Sequence, residues 1–308
     1  MLLLAHLSDP HLGGFAAPGL RHLLNKRGIG YVNWRLNRSK SWDADRLQQV
    51  VAAIHSLRPD HIAVTGDLVN VGLPDEIERA ARWLASLGDP SRVTAVPGNH
   101  DAYVETAVDL FKRDWAAFMR GDEIPAEVSF PFVRRLGDVA VMGLSTAVAT
   151  PPFMATGQLG RQQADRAEAA LAALGRAGLF RVVLIHHPPA VVPTSRPRRL
   201  IDGQRLDDLL ARAGAELVLH GHNHRATVHM MTTPSGAIPI VGATSASGLY
   251  RHGRDGEAGF NLIRIERVAS SFACRLTHYA WSGADIVVLA EHDLSRPPSP
   301  QPGTFTQA

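Results

Sequence analysis

Cysteine is almost absent from this 308-residue chain, which has only Cys274. A single cysteine excludes an intramolecular disulfide and a thiolate cluster for a metal. Its surroundings, SSFACRLTHYA, read as a strand with Cys274 as a small apolar residue. Long hydrophobic runs are missing as well, and none approaches the roughly 20 residues that span a bilayer. The leading MLLLAHLSD is too short and too uncharged for a secretory signal, and it runs directly into Asp9. A cytoplasmic location is therefore expected, with peripheral contact at the inner face of a membrane left open. A strong charge of one sign is also lacking. The formal net charge of +3 does not by itself imply a nucleic-acid partner, and no base-stacking aromatic array is evident. What remains, 45% apolar and 20% charged residues, is an ordinary globular composition with enough chain for a large core.

The first two-thirds of the chain alternates between two periodicities. LLLAHLS (2–8), HIAVTG (61–66), RVTAVPG (92–98), RVVLIHH (181–187) and AELVLHG (215–221) are strand-like. Between them, 44–57, 74–87, 104–119, 158–175 and IDGQRLDDLLARA carry helical apolar spacing, and FPFVRRL with VAVMGLS resembles a hairpin. This alternation predicts an α/β sheet with buried strands. Past His224, strands at about 226–232, 238–244, 260–266, 271–279 and 284–291 follow without long helices, which predicts an antiparallel meander forming a second sheet. The expected architecture is α/β, two packed β-sheets flanked by helices in an α/β/β/α sandwich. One domain is expected over 1–294. The remainder, 295–308, is rich in proline and polar residues and is expected to be disordered.

Five strand ends concentrate the side chains that bind metals. They read Asp9-Pro10-His11, Gly66-Asp67, Gly98-Asn99-His100-Asp101, His186-His187-Pro188 and Gly221-His222-Asn223-His224. In an Asp-x-His pair after a strand, residues i and i+2 should project to the same side, so Asp9 and His11 can reach one ion, and likewise His222 and His224. The glycine before Asp67 permits close backbone approach, and Pro97-Gly98 signals a turn ahead of Asn99. Each fragment alone is common, whereas the ordered set points to a two-metal site and hydrolysis at phosphorus. Imidazole with carboxylate and amide oxygen suits Mn, Fe, Zn or Co. His6 and His220, within strands, are expected in the core or behind the ligands.

In LSDPHLG, VTGDLVN, VPGNHDAY, LIHHPP and HGHNH the chain resembles the calcineurin-like metallophosphoesterase superfamily, over roughly residues 1–265. The resemblance implies two divalent metal ions. One would be held by Asp9, His11 and His224, the other by Asn99, His186 and His222, with Asp67 between them. It also implies hydrolysis by a hydroxide bridging the two ions. The family's H-x-P pattern selects His186 over His187, and Pro10 stands where leucine or threonine is more usual. His100 resembles the family's catalytic histidine and would protonate the leaving group, with Asp101 either orienting it or capping the turn. The 253–261 run, GRDGEAGFN, is similar to that of class III cyclic-nucleotide phosphodiesterases.

From Pro10 to Trp42 there is no acidic residue, while Arg21, Lys26, Arg27, Arg35, Arg38 and Lys40 are basic. Leu20, Leu23 and Leu24 share a helical face, and Tyr31, Val32, Trp34 and Leu36 form a second apolar group. This insertion, 12–42, reads as a lid, a membrane-surface element or an ordinary packed excursion with a solvated basic side. The expected partner is a small phosphodiester, with a cyclic nucleotide first. A phosphorylated lipid met through 20–40 is the alternative, although lipid A pathway pyrophosphohydrolases of the superfamily usually have arginine where His100 stands. A nuclease and a non-catalytic scaffold rank lower, so nucleic acid is not the expected partner. The antiparallel C-terminal strands could pair across a homodimer.

Overall fold

The computed structural model describes residues 1–13, 19, 26–38, 41–122, 128–249 and 256–295. The expected leucine face at 20–24, residues 253–255 of the GRDGEAGFN run and the proline-rich tail after Ser295 lie outside the described residues. In chain order the principal elements are β1 (Leu2–Leu7), α1 (Lys26–Asn33), α2 (Ala44–Ser56), β2 (His61–Val64), α3 (Pro74–Leu87), β3 (Val93–Ala95) and α4 (Glu105–Asp114). They continue with β4 (Phe132–Leu136), β5 (Val139–Gly143), α5 (Arg161–Arg176), β6 (Phe180–Leu184), α6 (Gly203–Ala213) and β7 (Leu217–His220). The last five strands are β8 (Thr227–Thr233), β9 (Gly236–Gly242), β10 (Gly259–Val268), β11 (Ser271–Ser282) and β12 (Asp285–Asp293).

The described strands form two six-stranded sheets, ordered β12-β11-β10-β1-β2-β3 and β4-β5-β6-β7-β9-β8. The expected division into an α/β sheet followed by a C-terminal sheet is not what the chain does. Strands β8 and β9 extend the second sheet, with β9 parallel to β7, whereas β10 to β12 extend the first from the other side of β1. Both sheets are therefore mixed: β5, β6, β7 and β9 form a parallel centre in the second, whereas in the first β1, β2 and β3 run parallel out to one edge. An apolar run of this length packs equally well in either sheet, so local pattern carries no information on which one it joins.

Alternation along the strands separates two cores. Val182 and Leu184 of β6, with Leu217 and Leu219 of β7, face the layer shared with β1 and β2. Val183 and Val218 point the other way, onto Leu171 of α5 and Leu206 and Leu210 of α6. Each such fully buried aliphatic side chain contributes about 1.5–3 kcal/mol. On the first sheet, Leu47, Val50 and Ile54 give α2 a buried stripe at helical spacing. Asp43 caps that helix, its Oδ1 accepting from Asp45 N at 2.9 Å and Arg46 N at 3.2 Å. The segment expected as one helix over 104–119 is α4 followed by a 3-10 turn at Ala116–Phe118, because Trp115 turns inward and donates Nε1–H to the Ile77 carbonyl at 2.9 Å.

In each sheet the parallel strands share a direction: β1 with β2 and β2 with β3, then β6 with β7. Their C-terminal ends consequently meet along one edge, where Gly221 N donates to the His186 carbonyl at 3.2 Å. No helix among the described residues is long and apolar enough to cross a membrane.

Candidate metal centre

The loops at this edge leave extended geometry at once. Asp9, His11, Asp67, His222 and His224 all have positive φ, at 52°, 40°, 54°, 65° and 52°. The expected reason for Asp9 and His11 converging, two extended residues projecting alike, is therefore replaced by left-handed turns. Asp and Asn tolerate that region better than most residues, and His shares the enrichment. Glycine makes the close approach possible: a Cβ at Gly98 would run into Asp67 Oδ1, and one at Gly221 would lie 2.5 Å from Asp9 Oδ2.

All seven residues expected to be ligands come together, and three groups have ligand atoms within 4.8 Å of one another. The first is Asp9, His11 and His224, the second Asp9, Asp67 and His186, and the third His186, His187 and His222. His224 Nε2 is 3.1 Å from Asp9 Oδ1, and His11 Nε2 is 4.0 Å from the same oxygen. Across the cluster, Asp67 Oδ2 lies 3.9 Å from His11 Nε2 and 3.3 Å from His186 Nε2. Asn99 Oδ1 is 3.2 Å from His186 Nε2.

Hydrogen bonds on the far side of each ring decide which nitrogen faces the cluster. His186 Nδ1 donates to the Thr65 carbonyl at 2.6 Å, leaving the Nε2 lone pair inward. His222 Nε2 donates to the Arg198 carbonyl at 2.6 Å, so Nδ1 is the nitrogen left available to a cation. His11 Nδ1 faces the Val69 carbonyl at 3.3 Å, while His11 Nε2 is buried without a hydrogen-bond partner. A buried, unpartnered imidazole nitrogen aimed between two carboxylates fits a divalent cation. His187 differs: Nε2 donates to the Ala155 carbonyl at 3.1 Å and Nδ1 accepts from Thr146 Oγ1 at 2.7 Å. Both nitrogens are spent on the 146–155 loop, so His187 braces the wall beside the cluster.

The charges are those of a cation site. Burial opposes ionisation of Asp9, but His224 outweighs it and holds the carboxyl down at about 2. Burial likewise opposes the Asp67 charge, yet His186 and His100 keep it well below the usual carboxylate range. Burial lowers His11 and His222 far below the ordinary imidazole value, so both are neutral and able to ligate.

His100 and Asp101 occupy different positions from each other. The His100 backbone N–H donates to Asp67 Oδ1 at 2.8 Å, and its ring Nδ1 donates to the Asn70 carbonyl at 2.5 Å. The ring lies edge-on to His11 and stacks against Tyr103 at 5.9 Å. Asp101 does not reach that ring in any bond of its carboxylate. Its Oδ2 accepts from Gly98 N at 2.7 Å and Asp67 N at 2.9 Å, and its Oδ1 from Leu68 N at 2.9 Å and Val69 N at 3.1 Å. It caps the turns carrying Asp67 and Asn99, the other of the two roles expected for it.

Several contributors were not singled out in the sequence. Trp42 stacks on the His11 ring at 4.2 Å and meets His224 edge-on at 5.4 Å. Asn70 supplies the carbonyl for His100 and donates its side-chain amide to the Leu12 carbonyl at 3.0 Å. Its place in VTGDLVN, three residues past Asp67, was the available signal. Behind the site, His6 Nε2 bonds Thr65 Oγ1 at 2.9 Å and His6 Nδ1 accepts from Asn261 Nδ2 at 3.1 Å, while burial lowers its pKa to about 3. His6 is thus a neutral buried brace beneath the Thr65 carbonyl that orients His186. Within the basic insertion, Arg27 departs from the expected solvated side, being only 4% exposed.

Similarity to known proteins agrees with this geometry. The family profile described as calcineurin-like phosphoesterase matches residues 2–226. A cAMP/cGMP dual specificity phosphodiesterase from Mycobacterium tuberculosis is 28% identical over 279 residues, covering 85% of this chain and 76% of that protein. A glycerophosphodiester phosphodiesterase from Enterobacter lignolyticus is 28% identical over 240 residues, 74% of this chain and 72% of its own length. Among solved structures, a dimetal phosphatase from Danio rerio superposes with a TM-score of 0.58 at 14% identity, covering 94% of this chain and 98% of that one, which shows a shared fold. This chain belongs to the calcineurin-like phosphoesterase family.

Proposed function

We propose that the chain is a dinuclear metal-dependent phosphodiesterase for small diesters, with a cyclic nucleotide as the leading substrate class. The observation that carries this reading is the Asp67 carboxylate. Its Oδ1 is occupied by the His100 N–H, and its Oδ2 faces His11 from one ligand group and His186 from the other. The Asp67 carboxylate would thereby help to hold both cations. Asp9, His11 and His224 would hold the first cation, and Asn99, His186 and His222 the second. Such cations would supply Lewis-acid charge for activating water and neutralising phosphoryl oxygens.

The chain's own residues supply the rest. The Asn70 carbonyl keeps a proton on His100 Nδ1, which leaves Nε2 as the nitrogen that faces the leaving alkoxide for proton transfer. Trp42 covers the outer face of His11 and limits water there. Diester specificity is supported by the relatives from M. tuberculosis and E. lignolyticus, whose names describe phosphodiesterases. A lipid substrate has one observation in its favour, the 55% and 70% exposure of Val32 and Leu36 beside a basic segment.

The test is a turnover panel on purified protein with defined Mn, Fe, Zn or Co. It compares bis(p-nitrophenyl) phosphate, p-nitrophenyl phosphate, cyclic AMP and a lipid pyrophosphate. Diester turnover well above monoester is expected, and preferential turnover of the lipid would favour the second reading. Activity surviving in Asp67→Ala would overturn the two-cation arrangement.

A further inference from the structure

Helix α1 belongs to the insertion, and two of its contacts lead to the same place. We propose that α1 is a positioning element for the His100 ring, with Arg27 as its principal residue. The proposal deepens the reading above and rests on the proton-transfer role given there to His100.

Arg27 is buried, and its guanidinium points into the turn that follows Asp67. Nε faces the Val71 carbonyl at 3.3 Å, and Nη2 donates to the Gly72 carbonyl at 2.5 Å. The preceding carbonyl, that of Asn70, receives the His100 Nδ1–H. On the opposite side of the turn, buried Glu76 accepts from Asn70 N at 2.8 Å, Val71 N at 3.2 Å and Leu73 N at 2.9 Å. The turn is therefore gripped through its carbonyls by a cation and through its N–H groups by an anion. Glu76 holds the Asn70–Val71 peptide by its N–H and Arg27 holds the next two peptides by their carbonyls, which opposes any rotation that would turn the Asn70 carbonyl away from His100.

The second contact is with Tyr103, whose ring stacks on His100. Lys26 Nζ sits 4.2 Å over the Tyr103 ring and donates to Thr150 Oγ1 at 3.0 Å. Further along α1, a Cβ on Gly30 would collide with the Tyr103 hydroxyl, so the helix backbone lies directly on that residue. Two groups that hold the His100 ring, the Asn70 carbonyl and the Tyr103 face, are thus backed by α1. A buried guanidinium spent on two backbone carbonyls is unsuited to attracting lipid phosphates, which cannot reach it. It is suited to setting an angle, and proton transfer is sensitive to errors of about 1 Å in placement.

The experiment reads the His100 ring by 15N NMR in wild-type and Arg27→Met protein, alongside turnover of two diesters. Wild type is expected to show the Nδ1–H tautomer, and Arg27→Met a mixture of tautomers. Turnover of cyclic AMP, which expels an alkoxide, should fall by about 10-fold or more, within the range ascribed to a general acid. Bis(p-nitrophenyl) phosphate, whose leaving group needs no proton, should lose far less, and bound metal should match wild type. Added to His100→Ala, Arg27→Met should cause no further loss. An unchanged tautomer in Arg27→Met, or equal losses on both diesters that add to those of His100→Ala, would overturn the proposal. If His100→Ala itself fails to separate the two diesters, the proton-transfer role is what falls, and the tautomer readout still decides on Arg27. Should Arg27→Met not fold, Gly30→Ala serves instead. It favours the helix while pressing on Tyr103, and unmoved His100 ring resonances there would likewise overturn the proposal.

Discussion

Asp101→Asn is the substitution that tests most of this site at least cost in volume. Each oxygen of the carboxylate accepts two backbone N–H groups, from Gly98, Asp67, Leu68 and Val69. An asparagine can keep one oxygen, but its NH2 cannot accept, so two buried N–H groups lose their partner whichever way the amide is turned. At roughly 1–3 kcal/mol for each unsatisfied buried group, the substitution should destabilise the protein by about 2–6 kcal/mol. That is a large part of a typical total of about 5–15 kcal/mol. Asp67 and Asn99 sit on the two turns released, so metal binding should weaken as well. Two effects compete at this carboxyl. Burial and the neighbouring Asp67 charge raise its pKa, the backbone N–H donors favour the ionised form, and the balance of these influences lies at about 8. The hydrogen bonds decide, since a proton could be placed on the carboxyl only by displacing one of its four N–H donors. A protonated Asp101 would already resemble asparagine, and its replacement would then be nearly silent. Urea unfolding of metal-free protein, with bound metal counted by mass spectrometry on the loaded form, distinguishes these cases. A variant within about 1 kcal/mol of wild type, with full metal content, would refute the reasoning.

Three further outcomes are expected. Gly221→Ala would place a Cβ against Ser8 and 2.5 Å from Asp9 Oδ2, so it should lose metal from the Asp9, His11 and His224 group; full occupancy in that variant would contradict the packing described. Burial opposes protonation of His186, but Asp67 and Asp9 prevail and raise it from 6.5 to about 9. Because that value lies above the unfolded one, its contribution to metal-free stability is complete below about pH 6.5 and is lost as pH rises through about 9. Metal needs the neutral ring, so affinity should climb over the same window and uptake at pH 7.5 should release a proton. Calorimetric heats independent of buffer ionisation enthalpy would count against this. Finally, burial and then Asp293 push the Cys274 thiol up to about 12, so thiol reagents should label it only on unfolding, and rapid labelling of native protein would show the strand to be open.

The residues that cluster at the candidate metal centre were legible because each stands at the end of an apolar, strand-like run. Asp9, Asp67, Asn99, His186 and His222 each follow an apolar run, and the pattern needs no knowledge of neighbours. Sheet membership was not legible. Residues 227–242 and 259–293 have the same alternating character, and only tertiary packing assigns β8–β9 to one sheet and β10–β12 to the other. The backbone of the site was hidden for a different reason. Asp9 and His11 look like an extended pair in sequence, and nothing local announces φ of 52° and 40°. Supporting groups such as Arg27, Trp42 and Asn261 act across separations of dozens to hundreds of residues, beyond the reach of any motif.

Those left-handed ligand positions carry a consequence for descent. A non-glycine residue in that region costs roughly 1–2 kcal/mol relative to its preferred conformations. Drift from His11, Asp67 or His222 to glycine would therefore relieve backbone cost while abolishing ligation, and drift to asparagine would be nearly free in conformation. Backbone conformation alone gives no reason to keep these side chains at His11, Asp67 and His222. A lineage released from the demand for ligation could shed its ligands one at a time and keep both sheets intact, becoming a scaffold without passing through an unfolded ancestor.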